Sequence, residues 1–126
     1  MEDQIIALDL DSGEITAQLD MGEMLSAYRA QTSADDTDWD WLHLNAIQEK
    51  DGDILVSSRE TSTIICIDDF MDDPHIDYMI ADERIWADSG YEDLLLTQSE
   101  EFKPQYGQHS LTCLVDDEPD DGQYEM

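Results

Sequence analysis

Basic residues are scarce in this sequence. Five Lys and Arg stand against 33 Asp and Glu, a formal net charge of −28. That scarcity argues against a nucleic-acid binder, because backbone binding neutralises phosphates with Lys and Arg. Anionic membrane surfaces are disfavoured for the same reason. No apolar run approaches the ~20 residues of a membrane span. Glu2 and Asp3 stand where a basic n-region would lie, so no signal peptide is expected. Cysteine is sparse too, with Cys66 and Cys113 alone. Cys66 lies in an apolar run, where a buried free thiol is the plain reading. A disulfide between the two is the alternative.

What is present is ordered alternation. The chain is 40% hydrophobic, which argues against simple disorder despite the charge. Its 126 residues suffice for one modest domain. An acidic, Lys-poor surface is also a feature of salt-adapted proteins.

The stretch from Asp38 to Asp68 reads as three short strands joined by two tight turns. Trp41, His43, Asn45 and Ile47 share one parity, and Leu42, Leu44 and Ala46 the other. In a strand those sets point to opposite faces. Asp51-Gly52 between apolar runs is a hairpin signal, because Gly accepts positive φ. Ile54 to Ser58 is the second strand, and Arg59 comes at its end. Thr63 to Asp68 is the third, rich in β-branched residues. His75 to Ala81 is a fourth, with Ile76, Tyr78 and Ile80 on one parity. Four short antiparallel strands in sequence make a propeller-blade-like sheet.

The flanks are read in the same way. Gln4 to Leu10 is a strand, Asp11-Ser12-Gly13-Glu14 a turn, and Ile15 to Leu19 the return strand. Asp9, Asp11 and Glu14 resemble part of a calcium loop, but the later glycine and closing glutamate are missing, which favours a plain acidic turn. Met21, Met24, Leu25 and Tyr28 have helical spacing, so Met21 to Arg29 is expected as a short helix. Gln31 to Asp38 is loop-like. Asp82 to Gln105 lacks alternation; Tyr91 to Leu96 reads as a helical turn, ended by Lys103-Pro104. Ser110 to Val115 reads as a strand start, and an acidic stretch runs from Asp116 to Met126. The expected organisation is all-β, an antiparallel β-propeller segment of about two blades. It comprises a partial blade at 4–20, a full blade at 41–81, a connector at 82–106 and the start of another blade at 107–126. The chain thus reads as an excerpt of a larger propeller.

His43 and Asn45 are two apart, and Arg59 follows after one hairpin. Imidazole, amide and guanidinium suit an oxyanion such as sulfate or phosphate. The plain readings are a hydrogen-bonded pair at a strand end and a surface ion pair for Arg59. His109 follows Gly107-Gln108, where Gly permits close backbone approach. His75, after Pro74 in an acidic loop, reads as solvated.

Together these residues resemble the aryl-sulfate sulfotransferases, a bacterial family that does not use the nucleotide sulfate donor. The matching runs are D-W-L-H-L-N-A-I, D-I-L-V-S-S-R, S-T-I-I-C-I-D, R-I-W and Y-G-Q-H, spanning Ile5 to about Val115. The resemblance implies a six-bladed β-propeller with its site at the central channel. It implies sulfuryl transfer from a phenolic sulfate to a phenol, with phenols and their sulfate esters as partners and no cofactor or metal. His109 matches the family's nucleophilic histidine, which becomes transiently sulfated. His43, Asn45 and Arg59 match residues around the transferred group. A periplasmic or extracytoplasmic location is implied as well. The family's further histidine in an earlier blade has no counterpart here. The usual Trp-x-x-Gly is altered, with Gly90 following Trp86, and the asparagine-rich strand after Gly-Gln-His is replaced by acidic sequence. The competing reading is a non-catalytic truncated propeller segment that serves as a binding or structural module.

Overall fold

The computed structural model describes residues 3–28, 41–99 and 103–112. Within them six strands form two antiparallel sheets. β1 (Gln4–Leu8) pairs with β2 (Ile15–Asp20). β3 (Leu44–Lys50), β4 (Asp53–Ser58), β5 (Thr63–Asp68) and β6 (His75–Ile80) form a meander in chain order. The all-β, antiparallel expectation is met.

The turns follow from their residues. Between β1 and β2, Asp9 Oδ1 accepts the backbone N–H groups of Ser12 at 2.8 Å and Asp11 at 2.9 Å. Those bonds close an Asx-type turn and hold the Asp9 carboxyl below the ordinary carboxylate value. Asp51 and Gly52 link β3 to β4 with φ of 55° and 92°. Two positive φ values give the hairpin a twist that matches its strands. After β2 the Asp20 side chain accepts from the N–H groups of Gly22 and Glu23, capping the single turn of α1 (Met21–Met24). Leu25, with φ −110° and ψ 32°, interrupts the expected helix, and residues 26–28 are helical again. The helical turn expected at Tyr91 to Leu96 is a 3₁₀ turn over Glu92–Leu94.

β4 and β5 alternate between two apolar clusters, one on each face of the larger sheet. Val56, Ile65 and Ile67 face a main core that also takes Ile5 and Leu19 from the hairpin. Trp86 lies in that core, fully buried. Its indole Nε1–H donates to Thr63 Oγ1 at 2.8 Å, as a buried Trp requires. The Tyr28 ring lies 4.2 Å from it, and Tyr91 meets it edge-on at 5.8 Å. Leu55, Ile64, Cys66 and Ile80 make the second cluster, and Leu96 and Leu111 pack on it. That face is therefore covered by the chain that follows β6. Leu96 N–H donates to Met79 O at 2.9 Å, tying this chain to the edge strand. Cys66 is a buried free thiol, pushed up to about 11 by burial.

Several expectations fall outside the described residues: the loop at Gln31 to Asp38, Cys113 and the acidic stretch beyond it. Of the strand expected at Ser110 to Val115, residues 110–112 are described, and they are not in a strand.

Candidate functional site

Parity does not carry His43 and Asn45 to one face. His43 has φ 51°, a left-handed backbone, and β3 begins only at Leu44. Leu44 pairs with Ser58 and Ala46 with Ser57, so Asn45 is the extra residue of a bulge. A bulge bends its strand and re-aims the side chain there. The alternation predicted from Trp41 to Ile47 breaks accordingly: Trp41 is buried and Ile47 is 58% exposed.

The bulge faces a corner built by the β4–β5 connection. Arg59 N–H donates to His43 O at 3.1 Å, and Glu60 N–H to Leu42 O at 3.3 Å. Ser58 Oγ–H donates to Leu42 O at 2.5 Å, and Thr61 Oγ1–H donates to Ser58 Oγ at 2.6 Å. These buried hydroxyls tie the corner together. His43 and Arg59 are thus neighbours through their backbones. The Arg59 guanidinium is half exposed and pairs with the Glu60 carboxylate at 3.6 Å. The surface ion pair read as the plain alternative is therefore present.

Residues 105–109 form a strap laid across this end of the sheet. Gln105 Nε2 donates to Ile80 O at 3.2 Å and to Ser62 O at 3.4 Å. Gly107 N–H donates to Ser62 Oγ at 3.2 Å. Gln108 Nε2 donates to Ser58 O at 3.0 Å and to Thr63 O at 3.4 Å. Asn45 Nδ2 donates to Gln108 O at 2.5 Å and stands 3.5 Å from His109 Nδ1. The strap crosses the ends of β6, β5, β4 and β3 in that order. Gly107 has φ 60°, a conformation glycine adopts without strain. The His109 ring is exposed, while Asn45 and Gln108 are half-buried.

The structure thus brings Asn45 to His109, and His43 to Arg59, at one end of the sheet. The Asn45 and Gln108 amides each have their NH₂ engaged and their oxygen, Asn45 Oδ1 or Gln108 Oε1, buried without a partner. The amide orientation of Asn45 is set by the Gln108 carbonyl, which needs a donor. Cavities lie to either side. An open groove of about 310 Å³ runs between β1 and β3, with Asn45 on its wall. A larger one of about 880 Å³ lies among residues 81–104, away from His109.

His75 is exposed, as expected, but it is not alone. Its Nε2 lies 3.2 Å from Asp68 Oδ2 and its Nδ1 lies 3.0 Å from Asp73 O, and these raise its pKa above 6.5. Among the described residues no three His, Cys, Asp or Glu side chains gather as a metal-ligand set. No helix among them is long and apolar enough to cross a membrane.

Sequence reasoning missed the strap's own anchors, Gln105, Gln108 and Tyr106, together with Asp82 and Arg84. The repeated Gln on either side of a Tyr-Gly pair was the available signal. Amides are the side chains that can bond strand-end carbonyls without adding charge.

A family model described as Arylsulfotransferase (ASST) matches residues 1–125. No curated protein and no solved structure matches the chain. The family match covers nearly every residue, including both the bulged strand and the strap that meets it, and this chain belongs to the arylsulfotransferase family.

Proposed function

We propose that this chain carries part of a site that moves a sulfuryl group from a phenolic sulfate to a phenol through a sulfated His109. One observation carries the reading: the Asn45 amide joins the Gly-Gln-His strap to the His43–Arg59 corner, 3.5 Å from His109 Nδ1. Asn45 Nδ2 only donates, so a neutral His109 ring meets it with the Nδ1 lone pair and keeps its proton on Nε2. That lone pair attacks sulfur. The sulfur–oxygen bond to the ring breaks, and the phenolate leaves with the electron pair. His43 protonates the phenolate, then takes the proton of the incoming phenol, whose oxygen attacks the sulfo-imidazole and restores His109. As sulfur takes the Nδ1 lone pair, the Asn45 N–H that faced it turns to a sulfuryl oxygen and Arg59 donates to another, and one preorganised donor is worth about 3 kcal/mol. The net charge of −28 repels sulfate esters, so Arg59 must attract them locally, in competition with Glu60.

The same reading takes the larger sheet as one blade of a propeller and β1–β2 as part of a neighbouring blade. Further blades complete the channel. The second reading, a non-catalytic binding or structural segment, draws support from the Arg59–Glu60 pair, which already occupies the guanidinium.

The test is incubation with 4-nitrophenyl sulfate and phenol, read by nitrophenol release. Intact-mass spectrometry without acceptor should find a labile gain of one sulfuryl group on His109. His109→Ala should abolish donor cleavage and transfer. Arg59→Lys should leave reduced activity, because Lys keeps the charge and loses the planar fork. Near-normal transfer by His109→Ala would remove His109 as the nucleophile.

A further inference from the structure

Tyr106 stands immediately before the Gly107-Gln108-His109 run, on the strap. Its hydroxyl donates to Asp82 Oδ2 at 2.6 Å. Asp82 is 7% exposed and lies two residues beyond the end of β6, a fixed point of the sheet. Its carboxylate also accepts the Arg84 backbone N–H at 3.0 Å and Arg84 Nε–H at 2.9 Å, and the Arg84 Nη2 group closes the fork. Arg84 Nη2 lies 3.3 Å from the Tyr106 hydroxyl. Three groups therefore converge on one carboxylate, and two of them come from Arg84 in the same turn. A bidentate Arg–carboxylate pair is geometrically selective, so it fixes both Asp82 oxygens. The strap hangs from that fixed oxygen by Tyr106.

The rest of the strap is held by uncharged bonds, of which Asn45 Nδ2–H to Gln108 O is the shortest at 2.5 Å. Gln105 and Gln108 each divide one amide between two carbonyls, at 3.0–3.4 Å. The Asn45–His109 contact, at 3.5 Å, is at the outer limit of a hydrogen bond. The shortest tie that is also charge-assisted is Tyr106 to Asp82. Arg84 holds the Asp82 carboxyl well below the usual carboxylate range, and Tyr106 adds to this. The same carboxylate raises the Tyr106 phenol, so that it stays protonated and donating.

We propose that Asp82 is the positioning residue for His109, acting through the Tyr106 hydroxyl. The placement of His109 stands on the contacts above. Only the kinetic part of the test rests on the sulfohistidine reading.

The experiment compares the 126-residue chain with Tyr106→Phe and Asp82→Asn. Tyr106 is 59% exposed, so Tyr106→Phe removes the bond without disturbing the core. Amide hydrogen exchange of Gly107, whose N–H donates to Ser62 Oγ, should rise about fivefold in Tyr106→Phe, the effect of one lost hydrogen bond. The thermal melt of the sheet should not move. By NMR the His109 imidazole signals should shift while those of His75, at the far end of the sheet, stay in place. Asp82→Asn should raise exchange and shift His109 at least as much, and its melt should fall as well. With an aryl sulfate, Tyr106→Phe should lower kcat and leave the donor KM unchanged. Raised exchange and a shifted His109 signal support the positioning role whether or not any form transfers sulfuryl. Unchanged exchange and an unmoved His109 signal in both variants overturn the role, whatever the activity.

Discussion

Thr63 shows how single residues hold this end of the sheet. Its hydroxyl accepts from the buried Trp86 indole and donates to Thr61 O at 2.8 Å. Thr63→Val keeps the volume and removes both bonds, leaving a buried N–H and a buried carbonyl unpaired. Urea denaturation should find a loss of about 2 kcal/mol. The same change in an exposed threonine such as Thr16 should have almost no effect. None of this was visible in the sequence, because a Thr in a β-branched run reads as strand propensity. The candidate residues were legible as residue types: His43, Asn45, Arg59 and His109 collect at one end of one sheet. The geometry that collects them was not. Strand parity assumed a regular strand, and the bulge at Asn45 with the left-handed backbone of His43 broke that regularity.

At the scale of elements, alternation was a dependable guide. The runs around Val56, Ile65 and Met79 became β4, β5 and β6 because each sends successive side chains to opposite apolar clusters. The turn residues were equally readable. Gly52 adopts φ 92°, so Gly52→Ala places a Cβ in a conformation that costs about 1–2 kcal/mol. No atom lies within 4 Å of that added Cβ, so the cost is backbone strain rather than a clash. Chemical denaturation should show the loss, with Gly52→Asn recovering most of it, since Asn tolerates a left-handed backbone. The strap was not readable as an element. It has no period, and its bonds run from side chains to strand ends that only the folded sheet brings together.

For the whole molecule, charge dominates the response to solvent. Self-repulsion at −28 opposes compaction, and salt screens it. The melting temperature should therefore rise between low and high salt; a sharp, salt-independent transition from a monomer would contradict this. Two groups set opposite pH trends. Asp82 titrates below its ordinary value of 3.8, so its contribution is complete above that pH and fades as pH falls through the folded value. His75 titrates above 6.5, so its contribution is complete below that pH and is lost as pH rises through the folded value. Removing each group should flatten its own limb: Asp82→Asn on the acid side, His75→Gln on the neutral-to-alkaline side. Stability against pH, measured by denaturant midpoint, reads both.

The strap also separates the birth of the sheet from the assembly of the candidate site. Every strand pairing joins chain neighbours, whereas the Asn45–Gln108 bond spans 63 positions. Closing a loop of that length carries more entropy than a hairpin does, and contacts between distant positions form late. A ribosome that has released residue 81 has already supplied all four strands of the larger sheet, yet His109 does not exist. During synthesis, then, the corner at His43 and Arg59 stands open before the strap and its histidine arrive.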